Sequence, residues 1–221
     1  MKFFHMADLH LGRKLLGEPL WKEQQYILSQ VLSMADEEKP EAFFCAGIFM
    51  ISPYPPQRLW DCWIGFGRNV RPWDTGVFDQ RQSRRGTEAP VCRRNPEKEG
   101  IHIAGTFKGR PEHTVLSDRF GPVHIWMLPF LRPGMLRPFT EEVPENYHEA
   151  VKTALQSVKL DESERNLLLA HQFVTAGGEG PDISDSEQLS LGGIDQVDAS
   201  VLKGLINVAL GHIHRPQKSV M

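Results

Sequence analysis

Apolar residues fall along the chain in short runs separated by longer amphipathic stretches. KFFHMA (residues 2–7), EAFFCAG (41–47), VHIWMLPF (123–130), NLLLAH (166–171) and INVALGH (206–212) have strand length, and each ends in a polar or Gly-containing loop. PLWKEQQYILSQVLSMADEEKP (19–40) spaces its apolar residues helically and carries acids ahead of its closing Pro. VPENYHEAVKTALQSVKL (143–160) reads as a second amphipathic helix, and GTFKGRPEHTVLSDRFGPVHIWMLPF (105–130) as paired strands about a polar turn at 118–122. Strands alternating with helices predict an α/β layered domain whose active loops follow the C-terminal ends of strands.

The stretch 48–97 breaks this pattern. GFGRNVRPWDTGVFDQRQSRRGTEAPVCRRN (65–95) shows neither a helical nor a strand period. None of the ten lysines lies within 48–97, while eight of fifteen arginines, three of five tryptophans and two of three cysteines do. Such a shift usually marks a linker or insertion, but Trp and Cys are poor linker residues. A structureless loop of this length is also uncommon inside a compact domain.

The 221 residues, 40% hydrophobic and 24% charged, suit a single globular domain. A formal charge of −3 gives no global attraction to polyanions, so contact with nucleic acid has to come from a local site or a partner. Cys45, Cys62 and Cys92 have no metal-type spacing and cannot all pair, which points to a reducing compartment, with the cytoplasm as the default. No signal-peptide run and no membrane span are expected.

Five residues carry candidate chemistry. Asp8 and His10 (ADLH) sit two apart at the end of the first strand, where strand alternation points both side chains the same way. His212 and His214 (LGHIH) repeat the spacing after the last strand, and His171 ends a third in LLLAHQF. A lone DxH or HxH is commonplace, but oxygen and imidazole donors converging from three strand ends suit a divalent transition metal such as Mn, Fe or Zn.

MKFFHMADLHLGRKLLGEPLWKEQ, AHQFVTAGG, SDSEQLSLGGIDQVDASVLKG and VALGHIHRPQ together resemble the SbcD nucleases, within the calcineurin-like metallophosphoesterases. The resemblance covers residues 1–47 and 98–218. It implies a four-layer α/β/β/α sandwich and two Mn ions, one held by Asp8, His10 and His214, the other by His171 and His212. It further implies 3′-5′ exonuclease and single-strand endonuclease activity on DNA breaks and hairpins. The implied partners are DNA and an SbcC-like ATPase, the nuclease being a homodimer within a heterotetramer. Two other readings stay open: another phosphoesterase of the superfamily (a phosphatase or cyclic-nucleotide phosphodiesterase), or a non-catalytic remnant.

The family also uses a GDxxD motif, whose carboxylate bridges the two ions, and a GNHD motif supplying an Asn ligand and a phosphate-contacting His. Neither is present in the translated sequence: the second strand runs into CAGIFMISPYPP, with Ile48 and Ile51 in place of the acids. The genetic code resolves this. With one G restored after Gly47, reading the last base of each codon with the first two of the next turns Ile48 into Asp. Phe49 then permits Ile, Met50 permits Tyr, and Ile51 becomes Asp without choice. Reading the last two bases with the first of the next, Asp79 to Arg84 permit Ile-Ser-Gly-Asn-His-Asp, and Pro72 to Phe78 permit Arg-Gly-Ile-Pro-Val-Phe-Leu. Three lost bases, near Gly47, between about Arg58 and Pro72, and near Glu97, restore the frame. Residues 48–97 are therefore read as an out-of-frame translation, and little or no nuclease activity is expected of the chain. It also stops soon after the last histidine pair, before the family's capping domain.

The remaining features take ordinary readings. His5, His102, His113, His124 and His148 are read as structural or surface residues, Asp185 and Glu187 as solvated loop acids, and Trp126 and Phe130 as core. The arginines at 81, 84, 85, 93 and 94 would suggest a phosphate-binding patch, but as products of a shifted frame they are assigned no function.

Overall fold

A computed structural model of the chain describes residues 1–48, 102–176 and 195–214, and the backbone of 74–77. Its elements in chain order are β1 (Phe3–Ala7), β2 (Lys14–Leu15), β3 (Glu18–Pro19), α1 (Trp21–Glu38), β4 (Ala42–Ala46), β5 (Asp74–Val77), β6 (His102–Ala104), β7 (Glu112–Asp118), β8 (Gly121–Leu128), α2 (Tyr147–Gln156), β9 (Arg165–His171), β10 (Phe173–Thr175), β11 (Gln196–Asp198) and β12 (Asn207–Gly211). Short 3-10 turns occupy Pro133–Leu136 and Ala199–Leu202. Every strand run and both helices read from the sequence are present, in a mixed α/β arrangement.

The strands form two four-stranded sheets, ordered β1-β4-β5-β6 and β12-β9-β8-β7. The first is parallel throughout, and in the second only the β7–β8 hairpin is antiparallel. Ala42 and Phe44 of the first sheet pack against Ile125, Met127, Leu167, Leu169 and Ala209 of the second, all buried. Buried apolar surface of this kind is the main favourable contribution to folding.

A helix covers the other face of each sheet. Leu28, Val31, Leu32 and Ala35 of α1 repeat every three or four residues and meet Phe4, Met6, Phe43 and Cys45. The helix stops where Lys39 turns left-handed (φ 47°) and donates its N–H to the Ala35 carbonyl at 2.9 Å, with Pro40 next. α2 starts under the Asn146 side chain, which accepts from the Glu149 N–H at 2.9 Å, and it buries Ala150, Val151, Ala154 and Leu155 against the second sheet.

The sequence reading of the middle segment is corrected at one point. Asp74–Val77 has no apolar alternation, yet its backbone forms β5, bonded in parallel to β4 on one side and β6 on the other. The pairing groups are main-chain N–H and C=O, which a strand presents whatever its side chains. Residues 49–73 and 78–101 lie outside the described residues, and with them Cys62, Cys92 and the arginines at 81, 84, 85, 93 and 94. The same holds for Asp185, Glu187 and the tail from Arg215. Among the described residues no helix is long and apolar enough to cross a membrane.

Of the residues assigned to the core, Phe130 is buried, whereas Trp126 is half-buried and donates its indole N–H to Asn166 Oδ1 at 2.9 Å. His113 stacks on Trp126 and meets His124 at 3.0 Å, ring nitrogen to ring nitrogen. The His148 Nδ1 accepts from the Asp198 N–H at 3.2 Å.

The β7–β8 turn is held by Arg165, which reaches from β9 and grips Asp118 with two N–H donors at 3.0 and 2.8 Å. That guanidinium, joined by the Met1 amino group, holds the Asp118 carboxyl well below the usual carboxylate range. A depressed folded pKa contributes stability above the unfolded value of about 3.9, and the contribution is lost as pH falls from there through the folded pKa. Arg165→Ala is expected to unfold at lower urea than the parent at pH 7, with the gap narrowing below about pH 4. Urea midpoints by circular dichroism across pH 2–8 test this; a gap that ignores pH would exclude the ion pair as its source.

Candidate metal centre

The C-terminal ends of β1, β9 and β12 meet at one edge of the two sheets, and all five donors read from the sequence gather there. Asp8 and His10 follow β1, His171 is the last residue of β9, and His212 and His214 follow β12. One Asp8 oxygen, Oδ1, stands 3.8 Å from His10 Nε2 and 3.5 Å from His171 Nε2. Donor atoms of Asp8, His10 and His214 all lie within 4.8 Å of one another. The His10 and His214 rings meet edge to face at 5.2 Å, and His171 and His212 are likewise 5.2 Å apart.

Strand alternation, however, does not produce this convergence. β1 ends at Ala7, and both Asp8 (φ 51°) and His10 (φ 44°) adopt left-handed backbone, as does His212 (φ 90°). Three of the five non-glycine residues with positive φ among the described residues are thus donors. Such conformations cost energy and persist where surrounding structure imposes them.

The constraint is the Asp8 carboxylate. Its Oδ1 accepts the Ile48 N–H at 3.0 Å and its Oδ2 the His212 N–H at 2.6 Å. The backbone adds Asp8 N–H to Ala46 O at 3.0 Å and His10 N–H to Ile48 O at 2.9 Å. Two glycines make room. Gly47 has φ +89°, and a Cβ there would overlap the Asp8 carboxylate; a Cβ on Gly211 would come within 2.9 Å of Ala46 O and Gly47 N.

Sequence reasoning missed both glycines, and it missed Gln24. This α1 side chain accepts the Gly12 N–H at 3.0 Å through Oε1, and through Nε2 donates to the His10 carbonyl at 2.8 Å and the Leu9 carbonyl at 3.5 Å. The one sequence signal was a half-buried amide on a helix among charged neighbours, in WKEQQ.

The environment suits a cation. Burial holds the His10 imidazole below its ordinary pKa against the opposing pull of Asp8, which keeps it neutral and able to lend a lone pair near pH 7. His10 Nε2 is buried without a hydrogen-bond partner among the described residues. With ligand bonds of about 2.0–2.2 Å, two donors on one ion stand roughly 3–4.4 Å apart, which matches both Asp8 separations. Phe130 backs the His171 and His212 rings at 5.5 and 6.0 Å, and Phe173 meets His212 at 6.1 Å, so that side is apolar. Cys45 lies buried behind the site with its thiol pushed up by burial and by Asp8. Position 48 supplies its backbone to the site, but its side chain is that of isoleucine.

No family model matches the chain. It is 25% identical over 240 residues to SbcD, the nuclease component of SbcCD, from Staphylococcus epidermidis, an alignment covering 98% of this chain and 57% of that protein. The chain thus spans a little over half the length of that relative.

Divalent cation binding is expected to stabilise the fold. An excess of Mn(II) or Zn(II) at about 100 times its Kd adds about 2.7 kcal/mol, and Asp8→Ala abolishes the gain. Gly47→Ala and Gly121→Ala both place a side chain at positive φ, but a Cβ at 121 meets nothing within 4 Å. Both are expected to lower the melting temperature, and only Gly47→Ala to weaken the metal-induced rise as well; equal rises in the two variants would refute the role given to Gly47.

Proposed function

We propose that this chain is an SbcD-like metallophosphoesterase domain, built as a four-layer α/β/β/α sandwich, that binds a divalent cation pair, Mn(II) in the first instance. The carrying observation is the convergence of Asp8, His10 and His214 donors, with His171 on the same Asp8 oxygen. Similarity across nearly the whole chain to an SbcD nuclease supports the same reading. On it the substrate is a DNA phosphodiester, and the partners are an SbcC-like ATPase and a second copy of the chain.

When bound, such cations supply Lewis acidity toward a phosphodiester and positive charge against that developing in the transition state. Asp8, His10 and His214 would hold one, His171 and His212 the other. The chain's own contribution is orientation: Ile48 and His212 N–H groups aim the Asp8 carboxylate, burial keeps His10 neutral, and Phe130 and Phe173 keep water from the histidines' far side. A carboxylate between the two ions is lacking, because position 48 is isoleucine.

Ile48 favours a second reading, a metal-binding remnant without catalysis. On the frame argument residues 48–97 are an out-of-frame translation, and the gene once encoded Asp at 48. The purified chain is expected to show little or no cleavage of linear duplex DNA with Mn(II), while Ile48→Asp tightens metal binding in calorimetry and Ile48→Leu does not. Robust cleavage by the parent would remove the remnant reading, and preference for small phosphoesters would replace the nuclease with another phosphoesterase. Sequencing the coding DNA across residues 45–100 tests the frame directly; an intact frame with neither GDxxD nor GNHD in its alternatives would refute it.

A further inference from the structure

We propose that Gln24 is a positioning residue for the metal centre, setting the affinity of the Asp8–His10 ligand pair from the first helix; this rests on the metal-binding reading above. The ligand loop runs from Asp8 to Gly12 through two non-glycine left-handed residues and a glycine at φ 87°. Such a loop leaves main-chain groups unpaired, and each unpaired buried group is costly. Gln24 takes up three of them: Gly12 N–H on Oε1, and the Leu9 and His10 carbonyls on Nε2. The Arg13 N–H closes on the His10 carbonyl at 3.0 Å, and the His10 N–H on Ile48 O at 2.9 Å.

His10 is therefore fixed at both its main-chain groups: its N–H by the chain following β4, its C=O by α1 and by the turn. Fixing the peptide fixes the direction in which Cβ leaves, and hence where Nε2 stands relative to Asp8 Oδ1. Only a side-chain amide both donates and accepts here. A carboxylate at 24 would still accept from Gly12 but would turn a negative oxygen on two carbonyls. Because α1 packs on β1 and β4 through Leu28, Val31, Leu32 and Ala35, Gln24 is carried on a rigid element rather than a loop.

The test uses the full chain with Mn(II) and Zn(II) in calorimetry, Co(II) absorption as a probe of ligand geometry, and the melting temperature of the metal-free protein. Variants are Gln24→Ala, Gln24→Glu and, as a control on the exposed face, Gln25→Ala. Gln24→Ala is expected to weaken metal binding about tenfold, the lower end of what loss of a residue supporting a ligand costs, and to change the Co(II) spectrum. Gln24→Glu weakens it further, and Gln25→Ala leaves it unchanged. Gln24→Ala and Gln24→Glu both binding as the parent does, with unchanged Co(II) spectra, would overturn the positioning role while leaving the metal site intact. So would losses that merely follow the metal-free melting temperature. A parent chain that takes up no metal would overturn both this inference and the functional reading beneath it.

Discussion

One carboxylate ties the edge of the molecule together. Asp8 leaves β1 in the first sheet and bonds to main-chain donors after β4 in the same sheet and after β12 in the other. Each oxygen takes one N–H, so neither sheet can shift at this edge without breaking a charge-assisted hydrogen bond. The close approach of Gly211 to Ala46 and Gly47 packs the same junction. Left-handed backbone at Asp8, His10 and His212 is what lets three strand ends deliver donors to one point, and the carboxylate clamp holds those conformations.

The sequence was most legible where local pattern and tertiary role coincide. α1 and α2 were plain because their apolar spacing is also their packing face, and NLLLAH and EAFFCAG because strands buried on both faces read as continuous apolar runs. The five donors were legible from strand-end position and spacing. Alternation does not explain Asp8 and His10, since it belongs to strands and both lie beyond one. β5 escaped notice because main-chain pairing leaves no mark on side-chain order. Gln24, Gly47 and Gly211 escaped because what they do depends on groups far away in the chain, which no window of neighbouring residues contains.

Ile48 shows how far a ligand site depends on backbone and how far on side chain. Its N–H and C=O both serve the site, bonding Asp8 and His10. A carboxylate there would add the charge that the remaining donors, four imidazoles and one acid, supply sparingly. The geometry that accepts metal and the chemistry that would use it are thus separable at one position.

The slot between β4 and β6 is filled through peptide groups alone, by a stretch reading Asp-Thr-Gly-Val. A sheet that welcomes a newcomer on the strength of its main chain is tolerant of misspelling at its centre. Such tolerance lets a scrambled coding stretch escape the structural penalty that ordinarily exposes it, so ancestry in this molecule is recorded by the shape of its interior and erased, letter by letter, from the text.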